Sequence, residues 1–195
     1  MYARGVSTAW SVPQETKPAP VPLLLVQAFV NTWDGDRRID TLLDPQTARS
    51  WLAAASMWNE PGLPEPGELH DARTVRKGVR ALIVMNGGGP APAPAELQPL
   101  RALMLASRLR MELQPDGQIS LDPEPGGRLA AQLARLLLLV RDAQREGTWS
   151  RLKACRNPDC RWAFYDRSHS LRGAWCDMAV CGNRIKNRRL RERHA

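Results

Sequence analysis

Cys155-Arg156-Asn157-Pro158-Asp159-Cys160, and after fifteen intervening residues Cys176-Asp177-Met178-Ala179-Val180-Cys181, decide how the chain is read. These are its only four cysteines, and all lie in the last 45 of 195 residues. Two close thiol pairs joined by a loop of this length form a tetrathiolate zinc pattern. Asn157-Pro158-Asp159 supplies the turn that lets the first pair converge. Trp162–Tyr165 reads as a short strand, Asp166–Arg172 as a turn and Gly173–Trp175 as its return. Cys181 falls at the first turn of a final helix. Knuckle, hairpin and helix describe a treble-clef-like finger with Cys155, Cys160, Cys176 and Cys181 as ligands of one structural Zn2+. So short a segment has too few aliphatics for a core of its own, and metal binding supplies about 10–16 kcal/mol in comparable sites. A closed tetrathiolate leaves no position for a reacting water. Two disulfides are the alternative, but thiols confined to two close pairs favour metal. Zinc thiolates need a reducing compartment, which predicts a cytoplasmic protein.

Charge follows the cysteines. Residues 151–195 hold twelve Lys/Arg against four Asp/Glu, which is the whole net charge of +8. The preceding 150 residues hold 16 bases and 16 acids. Such asymmetry points to a polyanion bound by the tail. On a helical wheel begun at Met178, the side bearing Met178, Cys181, Ile185 and Glu192 faces the zinc and the core. Arg184, Asn187, Arg188 and Arg191 form one polar stripe on the outer face. Lys186, Arg189 and Arg193 flank it as phosphate contacts. Arginine forks match phosphate and guanine, and asparagine can read adenine. A helix dipole favours cations at this end, but it does not account for the bases crowded into Arg184–Arg193. Trp162, Phe164 and Tyr165 either stack bases or pack the hairpin on the helix.

Upstream, residues 1–20 lack periodicity and are expected to be a disordered arm. Val21–Trp33 reads as a buried helix or strand. Asp44-Pro45 starts a helix through Ala48, Trp51, Leu52 and Ala55. Pro61–Gly67 is a loop, Glu68–Met85 a helix, and Asn86–Pro94 a Gly/Pro-rich connection. Ala95–Arg110 is amphipathic, and Pro115-Asp116-Gly117 marks a hairpin within Met111–Leu121. Gly127–Arg145 carries a Leu129, Leu133, Leu136, Leu137, Val140 face. The fold class is mainly α with minor β: a helical domain at 21–147 and the finger at 148–195, packed together without a long linker.

The C-terminal stretch resembles the CGNR zinc-finger family, named for the tetrapeptide standing here at Cys181–Arg184. The first knuckle, the aromatic run, Trp175-Cys176 and the trailing Lys186, Arg188 and Arg189 fit it. The N-terminal part resembles the ABATE domain that usually precedes this finger. Phe29-Val30-Asn31-Thr32, the Asp44-Pro45 helix and Arg73-x2-Arg76-x3-Arg80-Ala81-Leu82 carry that similarity. The family's usual hydrophobic-acidic lead-in is replaced by Leu25-Val26-Gln27-Ala28. The resemblance implies a stress-induced transcription regulator. The expected partner is DNA, and the N-terminal domain is expected to sense a small-molecule effector or to form a homodimer. RNA binding and a zinc-stabilised protein adaptor are the competing readings. Asn31 and Arg76, polar within apolar helices, are candidate lining of a ligand pocket. No catalytic triad, phosphate loop or metal-carboxylate motif points to an enzyme. Gly87-Gly88-Gly89 lacks the P-loop signature. No apolar run reaches the roughly 18 residues of a membrane helix.

Overall fold

The computed structural model describes residues 17–124 and 128–194. Most of the expected arm, residues 1–16, and Gly127 at the start of the last predicted helix of the N-terminal domain lie outside the described residues. Lys17–Pro20 is held: Ala19 is buried, its N–H donates to Gln27 Oε1 at 2.7 Å, and Tyr165 N–H donates to the Lys17 carbonyl at 2.9 Å.

Helix α1 (Leu23–Asn31) settles the open choice over Val21–Trp33. It is apolar on nearly every side and is accordingly buried at the centre. A short hairpin follows, β1 (Trp33–Asp34) with β2 (Ile39–Asp40), pairing Trp33 with Asp40. Its turn is held by Asp34 Oδ1, which accepts from the N–H groups of Asp36 and Arg37. Helix α2 (Pro45–Ala54) begins where Asp44 caps the Thr47 N–H at 2.8 Å. Helix α3 (Pro66–Asn86) starts two residues before the expected Glu68, because Glu65 and Glu68 form a capping box. Helix α4 (Pro94–Ala106) crosses α3 closely at Gly78, where a Cβ would lie 2.9 Å from the Leu100 side chain.

The amphipathic stretch ends at Ala106, earlier than expected. The chain then enters a longer hairpin, β3 (Leu109–Leu113) with β4 (Ile119–Pro123), and Gly117 turns it at φ 81°. Leu109, Met111, Leu113 and Ile119 are exposed on it. Helix α5 (Leu129–Arg145) buries Leu129, Leu133, Leu136, Leu139 and Val140.

The finger's hairpin differs from expectation. Strand β5 (Leu152–Ala154) precedes the first knuckle and pairs with β6 (Ala163–Tyr165), while residues 173–175 form no strand. The knuckle itself is the hairpin turn, and Cys155 N–H continues the ladder to the Trp162 carbonyl at 2.8 Å. The outer edge of β6 is covered by Lys17 and by the amides of Gln27 and Asn31. No edge remains for a returning strand. Leu152, Ala154, Ala163 and Tyr165 share one core with the helices. Cys155, Cys160 and Cys181 form a second cluster, with Trp162, Trp175 and Cys176 packed against it. A wide helical turn at Met178–Gly182, capped by Asp177, leads into α6 (Asn183–His194). Among the described residues no helix is long and apolar enough to cross a membrane.

Candidate metal centre and nucleic-acid interface

The four sulfurs lie within 4.8 Å of one another. Cys160 to Cys176 and Cys176 to Cys181 are both 3.7 Å. A tetrahedral ion with Zn–S bonds of about 2.3 Å spaces its sulfurs about 3.8 Å apart. The donor set thus fits Zn2+ in size and chemistry. Hydrogen bonds from outside the ligand set orient it: the N–H groups of Cys176 and Asn157 point at the Cys155 sulfur, and Asn157 Nδ2 lies 3.9 Å from Cys181 Sγ. Proton affinities carry the same message. The Cys160 and Cys176 thiols donate to Cys155 and hold it down at about 2. Donation to that thiolate then pushes Cys160 up to about 12 and Cys176 higher still, and burial raises Cys181. Without a metal the four thiols oppose one another's ionisation, a conflict that a dication among them removes. His169 is exposed and stands outside the cluster.

The finger is anchored by buried polar groups. Asn31, 3% exposed, donates from Nδ2 to the Ala163 carbonyl at 3.0 Å and accepts the Ala163 N–H at 2.8 Å. Gln27 reaches the same carbonyl at 3.2 Å. Asn31 therefore serves the join between domains, and does not line the cleft described below. Lys153 and Asp166 form a buried ion pair at 2.9 Å. Burial works to raise the Asp166 carboxyl, but the Ser168 hydroxyl, Lys153 and the N–H groups of Ser168 and Gly173 outweigh it and hold Asp166 far below the usual range.

Arg76, the other candidate pocket residue, is buried on α3 and forms a two-pronged pair with Asp40, both contacts at 2.6 Å. It also donates to the Thr32 hydroxyl at 2.9 Å. Burial raises the Asp40 carboxyl, and the Arg76 bonds and charge lower it further than that. Arg80, one turn along, donates to the Trp33 carbonyl at 3.0 Å. Burial and then the Arg76 charge push its guanidinium down to about 10.

Helix α6 keeps Ile185 buried, as the wheel requires. Glu192, expected on that same side, is exposed because the helix runs out past the core after Ile185; Met178 is exposed too, and lies in the wide turn before α6, where the wheel's step of 100° does not hold. The outward stripe divides in two. Arg184 donates to Asp36 at the tip of the β1–β2 turn, and Arg188 pairs with Asp159 in the first knuckle at 3.3 Å. Asn187 and Arg191, with Lys186 and Arg193 beside them, are exposed and make no polar contact with other described residues. The Arg189 side chain lies outside the described residues. Phe164 and Tyr165 are buried, and Trp162 packs against the cysteines. Sequence reading did not single out Asp36 or Asp159, whose partners are remote in sequence or follow only from the fold.

A helical domain that clamps a tetrathiolate finger and presents a basic helix defines the class: a two-domain zinc-finger protein. Comparison with family models finds the CGNR zinc finger at residues 151–194 and ABATE, described as "Putative stress-induced transcription regulator", at residues 24–146. The chain belongs to the ABATE family, with a CGNR finger at its C-terminal end. Both families are regulatory or zinc-finger families and neither is enzymatic. The CGNR finger has one structural zinc, and its four cysteines stand close together. No curated protein matches the chain.

Proposed function

We propose that the protein is a non-enzymatic, cytoplasmic transcription regulator, induced by stress, that binds duplex DNA through α6. One observation carries this reading: the whole positive excess sits in the finger, and the side chains of Lys186, Asn187, Arg191 and Arg193 stand exposed on α6 without partners among the described residues. Surface pairs such as Arg184–Asp36 are screened by solvent and worth little, so Arg184 and Arg188 can exchange carboxylate for phosphate at small cost. Zinc supports the helix and takes no part in chemistry. Burial of Phe164 and Tyr165 removes two of the stacking platforms that RNA binding would use. The exposed apolar residues of β3–β4 support self-association as a second element of the proposal, read by sedimentation of wild type against Met111→Glu.

The test is binding of the zinc-loaded protein to a random duplex pool, with single-stranded RNA as competitor, across a salt series. A log–log salt slope of about −3 or steeper is expected from three to four phosphate contacts. Affinity should fall in Lys186→Gln/Arg191→Gln. Binding indifferent to salt and to that double variant overturns the proposal, and preference for the RNA favours the competing reading.

A further inference from the structure

Between α3 and the first zinc knuckle lies a cleft of about 720 Å³. Six cations line it, Arg38, Arg73, Arg76, Lys77, Arg80 and Arg161, against the carboxylates Asp40 and Asp159. Internal pairing leaves most of this charge unanswered. Asp40 is spent on Arg76, and Asp159 is paired with Arg188 of α6. Arg73 and Arg80 donate to the neutral carbonyls of Leu42 and Trp33, which satisfy their N–H groups without balancing charge. The side chains of Arg38, Lys77 and Arg161 make no polar contact with other described residues, although the Arg161 backbone N–H donates to the Asn157 carbonyl in the knuckle turn. The zinc tetrathiolate, formally −2, reaches the cleft through Cys160 alone.

Like charges gathered in a concave recess repel one another and concentrate a positive potential there. Nothing in the fold requires Lys77 or Arg161 to be cationic, since neither side chain holds another described residue in place. An anion bound among them removes the conflict. The cleft continues past Lys77, Arg80 and Arg161 into a second depression of about 400 Å³, whose wall is mostly apolar (Ala81, Val84, Ala95 and Pro99) but also carries Thr74 and the carboxylate of Glu96, which accepts the Ala93 N–H. The combined recess therefore offers a cationic end for a charged head and an apolar end for an organic body, at a size suited to a small ligand.

We propose that this interdomain recess binds a small organic phosphate, its phosphate held by Arg38, Lys77 and Arg161 and its body laid against the apolar wall. Arginine forks and a lysine point charge are the donors such a group prefers. The ligand would bridge α3 of the helical domain to the knuckle holding two zinc ligands, so its occupancy bears on how the finger is held. That consequence rests on the regulatory reading, whereas the binding itself does not.

The experiment is titration calorimetry of the zinc-loaded full chain at about 50 mM salt with adenosine 5′-monophosphate, pyrophosphate, inorganic phosphate and citrate, beside a short DNA duplex. The organic phosphate should bind one per chain and tighter than inorganic phosphate. Lys77→Met and Lys77→Met/Arg161→Gln should each weaken it, the double by on the order of tenfold or more, with zinc content and melting temperature unchanged. Lys186→Gln/Arg191→Gln should leave it intact while weakening the duplex, which separates this site from the DNA face. Binding of none of the phosphates, a preference for citrate, or loss that follows the α6 variant instead of Lys77→Met each overturns the proposal. If Arg161→Gln disturbs zinc, Lys77→Met alone decides.

Discussion

The side chain of Asn31 and the backbone of Ala163 hold each other in both directions, at 2.8 and 3.0 Å. An amide on α1 thus acts as one more residue of a strand, closing the outer edge of β6. Asn31→Ala leaves the Ala163 N–H buried without its acceptor, whereas the carbonyl keeps Gln27. The expected loss is about 2 kcal/mol, measured as a lower denaturation midpoint. Asn31→Asp keeps the acceptor but buries a carboxylate whose second oxygen faces the Ala163 carbonyl, so it should lose at least as much.

Lys153 and Asp166 form the one ion pair among those described in which both side chains are 5% exposed or less. Removing one partner strands a charge in the core. Lys153→Met should therefore cost about 3–5 kcal/mol, and Lys153→Met/Asp166→Asn should recover part of it. The acid limb follows from the lowered carboxyl. Asp166 contributes stability that is present above its unfolded value near 3.8, and that is lost as pH falls from there toward its much lower folded value. Asp166→Asn should flatten stability against pH in that window. Urea denaturation at stepped pH measures it.

Arg184 reaches from α6 to Asp36 on the β1–β2 turn, so an acid of the helical domain occupies a base of the proposed DNA face. Asp36→Asn frees that base. The salt slope of duplex binding should steepen by about 1, and affinity at low salt should rise. Arg184→Gln should cancel the effect of Asp36→Asn. An unchanged slope in Asp36→Asn would mean either that Arg184 touches no phosphate or that it already leaves Asp36 for one in the wild type, and Arg184→Gln alone separates the two.

Zinc removal should unfold the finger selectively. The cysteine cluster lacks any other source of positive charge among its donors, and the strands beside it belong to the helical core. A chelator, or Cys181→Ser, should release the metal and loosen α6 while most helical circular dichroism persists. Global unfolding in step with metal loss would show that the two cores are one cooperative unit.

What the sequence could show was set by range. Cysteine spacing, the Asp44 cap and the Pro115-Asp116-Gly117 turn act within a few residues, and each was legible. The order of strands in the finger was not. Its hairpin partner for β6 lies before Cys155, and Lys17, Gln27 and Asn31 occupy the edge that a return at 173–175 would need. Asn31 and Arg76 were recognisable as unusual polar residues in apolar helices, but only the fold assigns Asn31 to Ala163 and Arg76 to Asp40. The wheel placed Ile185 inward correctly and Glu192 wrongly, since a wheel cannot say where a helix leaves the core.

Gly35 shows how closely the domains meet. A Cβ built there would lie 2.7 Å from the Asp159 carbonyl oxygen and 2.9 Å from that of Cys160. Both are backbone atoms of the zinc knuckle, which the metal and the turn bonds from Cys160 and Arg161 to the Asn157 carbonyl hold in place. The side able to yield is the β1–β2 turn, which carries Asp36 and borders the cationic cleft. Gly35→Ala should push this turn away from the knuckle, and Gly35→Val should push it further. Zinc content should stay at one per chain, because no ligand moves out of reach. Stability should fall by about 1–3 kcal/mol for overpacking of this kind, and hydrogen exchange should rise in the turn and in α6, where the Arg184 tether is lost. Zinc loss in Gly35→Ala would show instead that the knuckle is the softer partner, and that the helical domain sets the metal geometry.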